Sequence, residues 1–256
     1  MVGGAGSGER GAEVSNSNKD GVSSASEPST DPPPPATSSP LPALLDHTLL
    51  KPEATHTDIV RLCDEALAQE FGAVCVAGSW VEMCARCLKG SEVAIVSVAG
   101  FPLGSSTTRC KAAETSELIE LGADEIDMVA PIGRILTGDW DYVAADIAAV
   151  VAAAGGRIVK VILETAVLDR DTIEKAAKIA EQSGAGFVKT STGLHPAGGA
   201  TIEAVTLLRQ AVGPDVGVKA AGGIRTRGIA LEMLAAGATR IGTSSGVSIV
   251  GAEAGA

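Results

Sequence analysis

Two short stretches, FVKTSTG (187–193) and GVKAAGG (217–223), each set a lysine in an apolar run and follow it with small residues ending in glycine. Burial disfavours the charged form of a lysine, and a second ammonium group nearby works in the same direction. A lysine amine that is neutral near pH 7 is a nucleophile toward a carbonyl carbon and forms a Schiff base. Asp127, in GADEIDMV (122–129), supplies a proton-transfer group if it reaches the carbon being deprotonated or a bridging water. Lys189, Lys219 and Asp127 together point to carbonyl chemistry through an imine, with no metal and no other cofactor. The chain has three histidines, none in an H-x-H or H-E-x-x-H arrangement. Cys84 and Cys87 form a C-x-x-C, but WVEMCARCL reads as a helix with no second Cys or His pair at zinc spacing, so two buried or half-buried helical thiols are expected.

Such residues need strands to hold them. Eight short β-branched runs serve: LLDHT (44–48), AVCVA (73–77), AIVSV (94–98), EIDMV (125–129), IVKVILE (158–164), FVKTS (187–191), VGVKA (216–220) and RIGTS (240–244). Amphipathic stretches lie between most of them, such as TDIVRLCDEALAQ (57–69) and RDTIEKAAKIAEQSG (170–184). In the second, Ile173, Ala176, Ala177 and Ala180 share one helical face and Gly184 marks the stop. GAD (122–124), GAG (184–186) and GAT (237–239) recur between a helix and the next strand, as a repeated βα unit would produce. The expected fold is α/β, a single-domain (β/α)8 TIM barrel over residues 43–256. Neither the G-x-G-x-x-G of an open dinucleotide-binding sheet nor a P-loop is present. Residues 1–42, rich in Gly, Ser and Pro, have too little to bury and are expected to form a disordered tail without catalytic part.

A barrel interior is filled mainly by branched apolar side chains, and functional groups sit at the C-terminal strand ends. Here Asp46, Asp127, Lys160, Glu164, Lys189 and Lys219 occupy such positions. Strand alternation puts Lys160, Ile162 and Glu164 on one face, and Lys189 with Ser191 on one face. A self-neutralising ion network without chemistry would give the same residue types, but buried networks of that kind are seldom more stable than apolar replacements. The last two strands end in AAGGIRT (220–226) and GTSSG (242–246), which offer Gly222, Gly223, Gly242, Thr243, Ser244 and Ser245 as backbone and hydroxyl donors to a phosphate. Loops after strands 7 and 8 are the frequent phosphate site of this fold.

The formal net charge is −11, from 20 basic and 31 acidic residues, and no basic run interrupts it. That excludes binding to nucleic acid or an anionic membrane through a general electrostatic field. No apolar run approaches the roughly 18–20 residues needed to cross a bilayer. Five cysteines, without a secretory signal, fit reduced thiols and a cytoplasmic location.

LLDHTLLKPEAT, GFPLGSSTT, GADEIDMV, KVILET, FVKTSTG, VGVKAAGGIRT and RIGTSSG, in this order over residues 44–250, resemble the deoxyribose-phosphate aldolase family. The resemblance implies a class I aldolase that reversibly cleaves 2-deoxy-D-ribose 5-phosphate to acetaldehyde and D-glyceraldehyde 3-phosphate. It implies that Lys189 is the Schiff-base nucleophile, that Lys219 lowers its amine pKa and joins the proton relay, and that Asp127 is their partner through a water. Asp46, Thr48, Cys75, Lys160 and Thr192 become substrate-contacting positions. Gly193, Gly222, Gly223, Arg225, Gly242, Ser244 and Ser245 surround the phosphate. A possible homodimer also follows from it. Departures are the VAGSW (76–80) after Cys75, DMVAPIG (127–133), and a C-terminus GAEAGA without tyrosine, the only one being Tyr142. His195 reads as a loop residue. Another imine-forming aldolase and a catalytically dead phosphosugar-binding barrel stay as alternatives, the second disfavoured by the intact Lys189, Lys219 and Asp127.

Overall fold

The computed structural model describes residues 39–251. The tail expected over 1–42 thus lies outside the described residues up to position 38. Leu41 and Pro42 already belong to a 3-10 turn, Leu41–Leu44, and the Pro42 carbonyl accepts from the Gly72 amide (3.2 Å). Eight strands follow: β1 (Leu45–Leu49), β2 (Ala73–Val76), β3 (Ala94–Ala99), β4 (Glu125–Val129), β5 (Ile158–Ile162), β6 (Phe187–Lys189), β7 (Gly217–Ala221) and β8 (Arg240–Thr243). Each pairs in parallel with its neighbours, and β8 returns to β1 to close the barrel. Closure leaves no edge strand, and it turns every second side chain inward.

Every connection between strands carries a helix. These are α1 (His56–Ala68), α2 (Val81–Cys87), α3 (Thr108–Glu120), the short α4 (Ile132–Leu136) with α5 (Trp140–Ala153), α6 (Arg170–Gln182), α7 (Ile202–Ala211) and α8 (Arg227–Ala235); α9 (Gly246–Gly251) follows β8. Side-chain caps fix where several begin. The hydroxyls of Thr107, Thr201 and Thr226 accept from backbone amides three residues on, and so does the Asp169 carboxylate; Thr55 and Asp58 form a reciprocal capping box. The recurring glycines end helices as the sequence implies. Gly122, Gly184 and Gly237 adopt φ of 108°, 90° and 109°, and the alanine after each donates its amide five residues back. On α6 the buried residues are Ile173, Ala176, Ala177 and Ala180, the expected face.

The main core lies between strands and helices. Val74, Val76, Ile126, Met128, Val159, Val161, Val188, Val218 and Ile241 point outward into it. Inside the barrel the apolar filling includes Ala73, Cys75, Val96 and Val98 from β2 and β3, which pack together, and Val129, Ile162 and Ala221, buried on the faces of Asp127, Lys160 and Lys219. Beside them the interior holds a cluster of buried charges, Asp46, Asp127, Lys160, Lys189 and Lys219. All five cysteines are free thiols; Cys84 is buried and Cys87 exposed on α2.

A separate ion pair braces the exit of β4. Lys111 on α3 and Asp146 on α5 are both fully buried, with Lys111 Nζ donating to Asp146 Oδ2 (2.7 Å) and to the Val129 carbonyl (2.9 Å). The Thr108 hydroxyl donates to the other carboxylate oxygen (2.7 Å). Breaking a dry pair by removing one partner costs about 3–5 kcal/mol. Lys111→Met is therefore expected to lower the thermal midpoint by roughly 10 °C, at about 2–4 °C per kcal/mol for a domain of this size. An unchanged melting curve would show that the pair is dispensable.

Candidate active site

Asp127 is the hub of the interior. It sits fully buried in the middle of β4, and its carboxylate meets three lysines. Oδ2 accepts from Lys189 Nζ (2.7 Å) and from Lys219 Nζ (2.7 Å); Oδ1 accepts from Lys160 Nζ (3.1 Å). Strand pairing explains the convergence. Asp127 is level with Lys160 across β4 and β5, and Lys189 with Lys219 across β6 and β7. On the far wall, Asp46 from β1 accepts from Lys219 at Oδ2 and lies 3.8 Å from Lys160 Nζ. The structure thus gathers Asp46, Asp127, Lys160, Lys189 and Lys219 into one cluster, as the sequence implies.

Two members were not singled out by sequence. Glu125, two residues before Asp127 on β4, pairs with Lys160. Arg240, the first residue of β8, donates to Asp46 Oδ1 (3.1 Å) and approaches Glu125 Oε1 (3.7 Å). Strand alternation carries the signal for both, because Glu125 shares the face of Asp127, and Arg240 that of Gly242.

With every group in its ordinary state, three carboxylates face three lysines and one arginine, an excess of one positive charge. A neutral Lys189 removes that excess. The individual groups agree. Burial pushes the Lys189 amine below the ordinary lysine value, and the Lys219 charge adds to this against the pull of Asp127. Burial also disfavours charge on Lys219, but Asp127 and Asp46 outweigh it and hold this lysine above its ordinary value. Burial alone would raise both aspartates; the surrounding cations overcome it, so Asp46 is lowered and Asp127 lies well below the usual carboxylate range. One lysine stays an ammonium, and the other is free to be an amine. Cys75 faces the same space, and burial raises its thiol, so it enters as a neutral, apolar neighbour.

Glu164 stands apart from this network. It follows β5 with φ 55° and ψ 57°, a left-handed conformation that ends the strand alternation and turns the carboxylate toward the loop after β6. There Glu164 Oε2 accepts from the Thr192 hydroxyl (2.6 Å), and Oε1 from the Thr192 amide (3.3 Å). Thr192 is thus held directly above the lysine strand. Thr190 ties the same loop to β7, exchanging hydrogen bonds with the Ala221 amide and carbonyl (3.1 Å each). The Ser191 hydroxyl is buried and has no hydrogen-bond partner among the described residues. The Thr48 hydroxyl donates to the Asp46 carbonyl (2.9 Å) at the half-buried end of β1.

The glycines of the mouth are packing positions as much as donors. A Cβ on Gly222 would meet Gly199 at 2.8 Å and Gly193 at 3.2 Å, so the loops after β6 and β7 touch backbone to backbone. Gly223 is exposed beside them with φ 82°, and Arg225 is exposed. After β8, the Thr243 hydroxyl donates to the Ile224 carbonyl (2.7 Å) and accepts from the Ser245 amide (2.9 Å), joining the last two loops. Ser244 is exposed and Ser245 half-buried at that joint. His195 is exposed, its Nδ1 accepting from the Ala197 amide within its own loop (3.1 Å).

Gly242 differs from the other loop residues. It pairs with Asp46 and faces inward, where an added Cβ would stand 3.1 Å from the Lys219 Cε and from the Ala221 Cβ. Its place makes room for the Lys219 stem. Gly242→Ala is expected to destabilise by about 1–3 kcal/mol, the usual penalty of overpacking. Turnover should fall with it as Lys219 shifts; urea melts and rate measurements on the same variant check both.

A closed (β/α)8 barrel whose interior joins two lysines through one carboxylate defines the class, an aldolase barrel. The model of the DeoC/LacD family aldolase matches residues 42–252, and the chain belongs to that family. It is 52% identical over 210 residues to the deoxyribose-phosphate aldolase of Streptococcus uberis, covering 82% of this chain and 95% of the relative. It is equally 52% identical over 212 residues to deoxyribose-phosphate aldolase 2 of Bacillus licheniformis, with 82% and 95% covered. Among solved structures, the tetrameric deoxyribose phosphate aldolase of Aeropyrum pernix superposes with a TM-score of 0.78 at 33% identity, covering 84% of this chain and 91% of that one.

Proposed function

We propose that this barrel reversibly cleaves 2-deoxy-D-ribose 5-phosphate to D-glyceraldehyde 3-phosphate and acetaldehyde, through a Schiff base on Lys189. The observation that carries the reading is the sharing of Asp127 Oδ2 between Lys189 and Lys219, at 2.7 Å each. Identity of 52% to relatives named for this activity supports the choice of substrate.

In this reading the Lys189 amine attacks C1 of the open-chain aldehyde, and loss of water forms the imine. A base then takes the proton of the C3 hydroxyl. Asp127 serves directly or through a water, with the Lys219 ammonium fixing its position. The C2–C3 bond breaks, C3 becomes the aldehyde of glyceraldehyde 3-phosphate, and the electron pair moves into the enamine on Lys189. Proton return to C2 gives the acetaldehyde imine, and water releases acetaldehyde and the free amine. Asp46, Thr48, Cys75, Lys160 and Thr192 border the sugar. Gly193, Gly222, Gly223, Arg225, Ser244 and Ser245 flank the phosphate, and Gly242 contributes by seating Lys219.

The test is to supply 2-deoxyribose 5-phosphate in the presence of EDTA and quantify both products. Equal yields of acetaldehyde and glyceraldehyde 3-phosphate, unaffected by EDTA, are expected. No cleavage, or cleavage that EDTA abolishes, would overturn the proposal. Among the described residues no helix is long and apolar enough to cross a membrane. The location we propose is the cytoplasm and the assembly a homodimer; sedimentation of the purified protein as another species would replace that assembly.

A further inference from the structure

Beneath the lysines, toward the N-terminal ends of the strands, lies the pair that sequence reading passed over. Arg240 opens β8 and Glu125 opens β4, on opposite sides of the barrel. Conserving stability is the usual work of groups at this end of the fold. Here they are wired into the upper cluster. Arg240 holds one oxygen of Asp46 at 3.1 Å, whose other oxygen accepts from Lys219. Glu125 holds Lys160, which in turn reaches Asp127 Oδ1 at 3.1 Å. Arg240 and Glu125 close the ring between themselves at 3.7 Å.

Resting on the reading of Lys189 as the imine-forming residue, we infer that Arg240 and Glu125 are positioning residues that set the pH at which Lys189 becomes nucleophilic. In a dry space the charges of the cluster must balance. Arg240 is the fourth cation against three carboxylates, and without it the cluster balances with Lys189 protonated. Glu125 is the opposite weight, and without it the cluster has one further proton to shed. From β1 and β4 come Asp46 and Asp127, from β7 Lys219, and from β5 Lys160. The β2 wall offers Ala73 and the Cys75 thiol, and the β3 wall the apolar Ala94, Val96 and Val98. Glu164 is engaged by Thr192 and pairs with no lysine among the described residues.

Sign follows from charge. Removing the arginine's positive charge lets Lys189 keep its proton to higher pH; removing the glutamate's negative charge makes it lose the proton at lower pH. A unit charge acting across a partly screened protein interior shifts a neighbour by about one pH unit.

The experiment measures, across pH, the yield of borohydride-trapped ethyl adduct on Lys189 with acetaldehyde, for the full chain and three variants. Arg240→Gln is expected to move the midpoint up by about one unit, Glu125→Gln to move it down by about one, and Arg240→Lys to leave it in place. A merely structural role would lower yields without moving the midpoints in opposite directions. Midpoints that stay put, or shift the same way in both glutamine variants, would overturn the inference. If Arg240→Gln does not fold, Glu125→Gln decides alone, by a fall in midpoint or its absence. Wild-type protein with no adduct at any pH would instead defeat the functional reading itself.

Discussion

Lys219→Leu is expected to keep the barrel and to lose at least a hundredfold in turnover at neutral pH. The fold survives because no carboxylate is stranded: Asp46 keeps Arg240 at 3.1 Å and Lys160 at 3.8 Å, and Asp127 keeps Lys160 and Lys189. Chemistry suffers twice. Asp127 Oδ2, now shared by Lys189 alone, pairs more strongly with its ammonium form, and a neighbouring positive charge is gone. Both changes raise the proton affinity of Lys189, and each unit of that rise removes about tenfold of the free amine. Loss of the proton relay adds about 10²-fold or more. The pH of half-maximal rate should therefore move upward, so that part of the activity returns in alkaline buffer. A variant with wild-type rate and an unmoved pH profile would show that Lys219 has no part in activating its neighbour.

Asp127→Asn should be the more damaging change. Three lysine Nζ atoms converge on two carboxylate oxygens, and an amide offers them a single acceptor. The loss of turnover is expected to exceed about 10³-fold, since the same residue neutralises the lysines and moves the proton. Stability should fall by about 3–5 kcal/mol, the consequence of leaving buried charge without its partner. The pH dependence carries the sign. Lys189, already below its ordinary value, loses the upward pull of Asp127 and is depressed further, so the unfolded chain binds more protons, and stability rises with pH up to the ordinary lysine value of about 10.4. Urea melts at neutral and alkaline pH give the check. A variant equally stable at both, or within tenfold of full activity, would refute this role for Asp127.

How much of this was legible in the sequence depended on where each residue sits relative to a regular strand. Lys189, Lys219, Lys160 and Asp127 lie within strands whose β-branched neighbours announce them, so alternation placed them on one face. The GA-x repeats likewise mark helix stops by local chemistry alone. Glu164 was misplaced beside Lys160 because its left-handed φ of 55° breaks the alternation that the run IVKVILE suggested. It braces Thr192 instead. Glu125 and Arg240 open their strands, where a charge normally reads as a solvated end; alternation puts them on the faces of Asp127 and Gly242, but only barrel closure reveals that they meet across the interior. Gly242 looked like its neighbours in GTSSG, but the nearness of the Lys219 stem is a through-space fact that a string of residues does not carry.

The central claim is that Lys189, and not its equally buried neighbour, forms the covalent bond. Incubation of the protein with acetaldehyde, reduction with borohydride and peptide mapping by mass spectrometry tests it directly. The expected result is one ethyl group on Lys189, with Lys219 and Lys160 unmodified, and no adduct at all in Lys189→Met. An ethyl group on Lys219, or none on any lysine while the protein still cleaves its substrate, would contradict the account.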